Sequence, residues 1–411
     1  MSQELLFPKG HVYLIGAGIV GRAILRAHVQ ARVSTWIIDR SAEIVHAAID
    51  ELEIDELAID DQWQIGPPKQ WSDDCWGIHL QHGDDQQPKS RSMVIESIVE
   101  KLNVKREFYS QAESRFGHDA VLCSNTSNLR ISAIAESLDD ASRFAGMHFF
   151  MPVDQRPATE IVRGKETSPS TINACCEHAQ RIQKTPLVVA DGPGFIVNRM
   201  LSPYLNEALL LLCRGTTAAQ IERAAHAYGM PMSPLELADY IGLRTMFDAG
   251  RVFWQAFPDR LSASPMLAGM IKRKRFGRAV GAGLYDYPDG KRSIELSAET
   301  TEIATKYARH EQEFEDSDVV DLLSIPMWIE AALAWRDGVT DQATDFDLAM
   351  QGGLGYDRNR SWIDFYDALG SDRMLAAITR WSPMTAAMNS PQELQEALRT
   401  QTPSQTLQHF S

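Results

Sequence analysis

The sequence predicts an α/β domain followed by two all-α helical domains in tandem, and three observations carry that expectation. A glycine loop lies between a short apolar strand and an amphipathic helix near the start of the chain. Apolar segments then alternate with helical patterns as far as about residue 190. Beyond that point one helical pattern occurs twice, which sets boundaries of 1–190, 191–295 and 296–411.

The stretch "HVYLIGAGIVGRAIL" gives a strand over Val12–Ile15, then Gly16, Gly18 and Gly21 in a G-x-G-x-x-G spacing, then a helix. The first glycine permits a tight turn, the second lets backbone approach a pyrophosphate, and the third lets helix pack on strand. The pyrophosphate then meets free N–H groups at a helix N-terminus. "STWIID" predicts a second strand ending at Asp39, eighteen residues past Gly21. A carboxylate there accepts the ribose hydroxyls of NAD and repels the 2′-phosphate of NADP, and Arg40 would blunt that repulsion. NAD is the expected cofactor, on a Rossmann-like domain.

The acidic stretch from Glu51 to Ser92 predicts a helix early and a strand at "CWGIHL", with no chemistry assigned. "SMVIESIVEKLNVKREFYSQ" predicts a buried strand running into a charged helix. "AVLCSNTSNLRISAIAESL" predicts a strand, Val121–Ser124, with Asn125, Thr126 and Ser127 at its carboxyl end. That edge of an open α/β sheet is where ligands bind. Ser127 has a second reading as a helix cap. In "HFFMPVDQRPATE" His148 precedes two phenylalanines, and Glu160 follows twelve residues later. Alone, such a histidine reads more readily as a core residue than as a catalyst. Gly192-Pro193-Gly194 then breaks the chain before a long apolar helix, where Asn198 is either a cap or a substrate ligand.

The composition, 44% hydrophobic and 23% charged with a formal charge of −15, argues against a nucleic-acid partner. The longest apolar run, Ala208–Cys213, falls well short of the roughly 20 residues that span a bilayer. The N-terminus lacks the basic and apolar regions of a secretory signal, so the expectation is a cytoplasmic protein without a membrane partner. Cysteines 75, 123, 175, 176 and 213 lack metal-ligand spacing, which predicts free thiols and no metal.

Several motifs in order, "SNTSNL", "RFAGMHFFMPV", "DGPGFIVNRMLSPYLNEA" and "PMSPLELADYIGL", resemble the 3-hydroxyacyl-CoA dehydrogenase family from the glycine loop to about residue 290. The resemblance implies NAD-dependent oxidation of an L-3-hydroxyacyl-CoA to its 3-oxo form, as in fatty-acid β-oxidation. It matches Ser127, His148, Glu160 and Asn198 to the family's catalytic residues. It also matches Glu100 and Lys105 to a segment that contacts the nicotinamide end of the cofactor, with Lys101 in place of an asparagine.

The chemistry needs these residue types. An imidazole, with an ordinary pKa of about 6.5, can take the hydroxyl proton as hydride leaves carbon. A carboxylate fixes its tautomer and stabilises the imidazolium. Ser127 and Asn198 would hydrogen-bond the reacting oxygen. Four role-compatible residues in family order favour a general base at position 148 over a core histidine.

The chain also departs from the family. Met151, Ser233, Ala279 and Ala282 replace an asparagine, a glycine and two lysines, and the basic helical hairpin that helps hold CoA is shorter and acidic here. Lost cations weaken the grip on CoA phosphates. Two alternatives follow: the same chemistry on a CoA-free hydroxy acid or sugar acid, or a non-catalytic NAD(H)-binding protein.

In the last third, Pro203, Glu207, Ala208 and Gly215 fall on Pro326, Glu330, Ala331 and Gly338 at constant offset. Two residues are then inserted before Ile221-Glu222 and Phe346-Asp347, and "ELADYIGL" echoes "DFYDALGS". Tandem copies resemble the dehydrogenase half of the multifunctional fatty-acid oxidation enzyme. Single-copy members dimerise through this domain, so the resemblance implies a monomer with an internal pseudo-dimer, a homodimer being the alternative. No hydratase segment stands before residue 1, so no hydration step is expected. The polar tail from Asn389 is expected to fray.

Overall fold

All four residues of the first strand, Val12–Ile15 (β1), are buried, as a central parallel strand covered on both faces requires. The chain is described by a computed structural model over residues 7, 9–52, 63–72, 75–83, 91–308 and 312–410. It divides into two units, Met1–Gly192 and Pro193–Ser411.

In the first unit β1 is followed by β2 (Thr35–Asp39), β3 (Trp63–Ile65), β4 (Lys69–Ser72), β5 (Cys75–His82), β6 (Met93–Glu96), β7 (Val121–Ser124), β8 (Phe144–Phe149), β9 (Ala158–Arg163) and β10 (Thr185–Ala190). The strands form one sheet in the order β10-β9-β8-β7-β6-β1-β2-β5-β3, with β4 also paired to β5. From β2 to β8 across the centre the pairing is parallel. β9 then runs against β8, and β10 follows β9 in parallel. The helices are α1 (Ile19–Gln30), α2 (Ala42–Asp50), α3 (Leu102–Tyr109), α4 (Ala112–Phe116), α5 (Ile131–Ala135) and α6 (Pro169–Arg181).

Between β2 and β6, α2 ends before the acidic stretch begins at Glu51; the helix expected early in that stretch falls on residues 53–62, outside the described residues, and "CWGIHL" lies in β5. The short strands β3 and β4 were not legible. Both run antiparallel to β5, which itself runs antiparallel to β2. Where the resemblance implies a helical hairpin, the described residues therefore add three antiparallel strands to the sheet. Residues 53–62, 73–74 and 84–90 lie outside the described residues.

The second unit is helical: α7 (Val197–Leu212), α8 (Ala218–Tyr228), α9 (Pro234–Ile241), α10 (Leu243–Ala256), α11 (Met266–Lys272), α12 (Ala298–Lys306), α13 (Asp316–Arg336), α14 (Thr344–Leu348), α15 (Trp362–Leu369), α16 (Ser371–Trp381), α17 (Gln392–Leu398) and α18 (Pro403–His409). From Asp318 to Ala334 nearly every residue of α13 is buried. A helix apolar on all sides belongs at the centre, and α13 packs on α7, α8 and α16.

Backbone landmarks recur at the spacing of the sequence repeat. Pro203 and Pro326 lie inside α7 and α13. Gly215 and Gly338 have φ of 93° and 70°, and Gly242 and Gly370 have φ of 93° and 85°. Ser233 and Ser361 cap α9 and α15.

The tail corrects the sequence reading. It does not fray: α17 and α18 bury Leu394, Leu398 and Leu407. A capping box at Thr402 and Gln405 starts the last helix. Among the described residues no helix is long and apolar enough to cross a membrane. None of the five cysteines is in a disulfide.

Candidate active site

The glycine loop shows why its residues are glycines. Gly16 has φ of 100°, and a Cβ there would lie 2.6 Å from the Ser97 carbonyl oxygen. At Gly21 a Cβ would stand 1.9 Å from the Gly16 oxygen, so no side chain fits while α1 packs on β1. A side chain at Gly18, by contrast, would meet no described atom within 4 Å. This open ground lies at the N-terminus of α1, where helix N–H groups attract an anion.

Asp39 closes the other side. Its Oδ2 accepts the Ala17 N–H at 2.6 Å and its Oδ1 accepts the Arg40 N–H at 2.6 Å, so the carboxylate is fixed against the loop. Gly16, Gly18, Asp39, Ser97, Ile98 and Val99 are among the residues that line a cleft of about 430 Å³. An open anion cradle beside a fixed acceptor fits a dinucleotide, pyrophosphate at α1 and ribose at Asp39.

His148 and Glu160 are register partners across the antiparallel pair β8 and β9. Directly opposite residues project from the same face, which turns a twelve-residue separation into contact. His148 Nδ1 lies 2.6 Å from Glu160 Oε2. A carboxylate can only accept, so Nδ1 carries a proton, and in the neutral ring Nε2 is then the nitrogen with the lone pair. Ser127 Oγ lies 3.1 Å from that Nε2. His148 is 5% and Glu160 0% exposed, and the Phe150 ring packs edge-on at 5.0 Å. The arrangement is a buried imidazole with Nδ1 committed to a carboxylate and Nε2 beside a hydroxyl.

The loop after β7 holds Ser127 in place. Asn125 Oδ1 accepts the Phe149 N–H at 2.9 Å and its Nδ2 donates to Ser97 Oγ at 3.2 Å. Ser127 is not a helix cap, which overturns that reading. Arg130 is the N-cap of α5, and the Asp191 carboxylate accepts the Ile131 and Ser132 N–H groups at 3.0 and 2.9 Å.

Glu100 and Lys105 join this loop. Glu100 Oε1 accepts from Thr126 Oγ1 at 2.6 Å and from the Ser127 and Asn128 N–H groups at 2.9 and 3.0 Å. Lys105 Nζ lies 3.5 Å from Glu100 Oε2 and donates to Glu96 Oε1. Glu96 was missed. It is 0% exposed, and accepts from the Ile98 N–H and from Ser124 Oγ, each at 2.7 Å. An acid closing an otherwise apolar strand, "MVIE", was the signal that could have found it.

Asn198 belongs to the second unit and is described there. It is the second residue of α7, whose N-cap is Ile196, so it is no cap either. Its carbonyl accepts from Ser202 Oγ at 2.7 Å.

Residues 11–192 match the family model described as "3-hydroxyacyl-CoA dehydrogenase, NAD binding domain", and residues 194–287 match that family's C-terminal domain. The chain is 33% identical over 313 residues to a fatty acid oxidation complex subunit alpha of Psychrobacter cryohalolentis, covering 74% of this chain and 43% of that protein. A subunit of the same name from Pseudomonas aeruginosa is 30% identical over 310 residues, with the same coverage. The chain thus spans less than half the length of these relatives.

Among solved structures, an (S)-3-hydroxybutyryl-CoA dehydrogenase from Ralstonia eutropha is 28% identical with a TM-score of 0.57, covering 68% of this chain and 99% of its own. A 3-hydroxybutyryl-CoA dehydrogenase from Escherichia coli shares the fold at a TM-score of 0.73 and 21% identity, over 96% of this chain and 99% of its own. On the match to both domain models, supported by these relatives, the chain belongs to the 3-hydroxyacyl-CoA dehydrogenase family and carries its NAD-binding domain.

Proposed function

We propose that the protein oxidises an L-3-hydroxyacyl-CoA to the 3-oxoacyl-CoA with reduction of NAD, in the cytoplasm, where its free thiols stay reduced. The observation that carries this reading is the His148–Glu160 pair, with Nδ1 committed to the carboxylate and Nε2 facing Ser127.

Bound NAD supplies the hydride acceptor. His148 Nε2 takes the C3 hydroxyl proton as the C3 hydrogen leaves with its electron pair, so the alcohol becomes a ketone. Glu160 stabilises the imidazolium that forms. Ser127 and Asn198 hold the reacting oxygen, whose hydrogen bonds decide the orientation of C3. Glu100 and Lys105 serve the reaction by holding the loop of Ser127. Gly16, Gly18 and Gly21 admit the pyrophosphate, and Asp39 receives the ribose hydroxyls.

The test is NADH formation by purified protein on short, medium and long L-3-hydroxyacyl-CoAs, with NADP in parallel. Turnover with NAD, and at least tenfold slower turnover with NADP, is expected because Asp39 repels a 2′-phosphate. A second reading keeps the chemistry on a CoA-free hydroxy acid. The strands β3 to β5 in the hairpin region, with Ala279 and Ala282, favour it. Turnover of free 3-hydroxy acids with no reaction on any thioester would select it. NADH binding without turnover of either class would leave a non-catalytic binding protein.

The recurring landmarks of the helical unit support a duplicated domain, one copy before and one after about residue 295. We propose that the copies form an internal pseudo-dimer and that the protein is a monomer. Light scattering is expected to give a one-chain mass at all concentrations, and a constant two-chain mass would overturn this.

A further inference from the structure

We infer that Glu330, in the second helical copy, is a positioning residue for Asn198, acting through Arg199. The inference rests on the proposal that Asn198 binds the substrate oxygen.

Arg199 follows Asn198 in the first turn of α7 and is 1% exposed. Its side chain crosses to the second copy, where Nε donates to Glu330 Oε1 and Nη2 to Asp337 Oδ2. Arg260 Nη1 donates to the same Glu330 oxygen at 2.9 Å. The Arg199 and Arg260 guanidinium groups lie 4.7 and 4.1 Å from the centre of the Phe257 ring. Two arginines and two carboxylates thus close a neutral cluster in which the planar forks have little freedom to move. The backbone is held at the same point. The Arg199 N–H donates to the Gly194 carbonyl at 3.0 Å, closing the loop that leads into the helix. Asn198 sits between that loop and the anchored arginine.

The repeat supplies an internal comparison. At its offset Glu207 is equivalent to Glu330, Arg214 to Asp337, and Asn198-Arg199 to Asp321-Leu322. A symmetric pair of copies would set an arginine at 322 against Glu207. The chain has leucine there. Glu207 accepts instead from Thr385 Oγ1 at 2.8 Å and Asn206 Nδ2 at 3.3 Å, and Oε2 has no partner among the described residues. Arg214 donates to the Met384 carbonyl at 2.8 Å, and Asp321 pairs with Arg373 at 2.9 Å. Were the cluster only adhesive between copies, either half would serve. It stands on the side whose helix carries the asparagine.

The test compares E330Q, D337N and E207Q with the wild type by hydrogen exchange and kinetics. In E330Q, amide exchange across residues 195–202 is expected to speed up by about tenfold. Its kcat should fall roughly 10- to 100-fold, the cost of a small misplacement at a reacting centre, while the KM for NAD stays within about twofold. E207Q, which removes the equivalent buried carboxylate without touching Arg199, should match the wild type in both readouts. Should E330Q fail to fold, D337N, whose carboxylate is half-buried, is expected to give the same changes at smaller size. Unchanged exchange over 195–202 in whichever of these two variants folds would overturn the inference, and so would equal acceleration by E207Q. A wild type inert on every hydroxy substrate would remove the proposed function alone, and the exchange result would still decide the coupling.

Discussion

Replacing His148 by glutamine is expected to lower kcat for NADH formation about 10³-fold while leaving NADH affinity unchanged, because general-base catalysis contributes roughly 10²–10⁴-fold. Glutamine nearly fills the space and keeps a polar end beside Ser127, but it has no basic nitrogen. The cleft lined by Gly16, Gly18 and Asp39, where the cofactor is proposed to bind, does not include position 148. Glu160→Gln sharpens the test. A carboxylate accepts the Nδ1 proton and leaves Nε2 as the base. An amide in its place can donate to Nδ1, which transfers the ring proton to Nε2 and blocks proton uptake from the substrate. Both variants should therefore be slow at saturating substrate, since the loss is in the chemical step and not in binding. His148→Gln retaining more than about a tenth of wild-type kcat would remove the general-base assignment.

How much of this site could be read beforehand depended on how local each signal was. Gly16, Gly18, Gly21 and Asp39 were legible because strand, turn and helix follow within one short segment, although only the clash of Gly21 with the Gly16 carbonyl lies inside it, that of Gly16 being with Ser97. Ser127 was legible as a polar residue at a strand's carboxyl end, although its alternative as a cap fell only when Asp191, sixty-four residues later, proved to cap α5. The twelve-residue interval from His148 to Glu160 suggested a pair but not its geometry. The register of β8 on β9 sets that geometry, across a connection whose two prolines obscured the second strand. β3 and β4 escaped because "WQI" and "KQWS" are short, with polar residues between the aromatic ones. The tail was misread from composition alone. Its helices are seven residues each, too short for a clear period, and "TPSQ" carried the capping signal instead.

Lys105→Met is expected to destabilise the first unit by about 3–5 kcal/mol, because it strips the cation from a carboxylate that remains buried. Lys105 is 1% and Glu96 0% exposed, so water cannot replace the lost charge. Glu96 keeps its hydrogen bonds from the Ile98 N–H and Ser124 Oγ, and those bonds hold the carboxyl group in the interior with its cation removed. For a unit of this size the loss corresponds to a fall of roughly 6 to 20 °C in Tm. A Lys105→Met, Glu96→Gln double variant should recover much of it, since replacing both members of a buried pair is often close to neutral. The same measurement separates two roles for the lysine. If it served the nicotinamide end of the cofactor alone, Tm without cofactor would stay at the wild-type value and only NADH affinity would drop. A structural role predicts the reverse emphasis, with Tm falling before any cofactor is added. Turnover should then fall as well, because Lys105 also faces Glu100, whose other oxygen receives the Ser127 and Asn128 N–H groups.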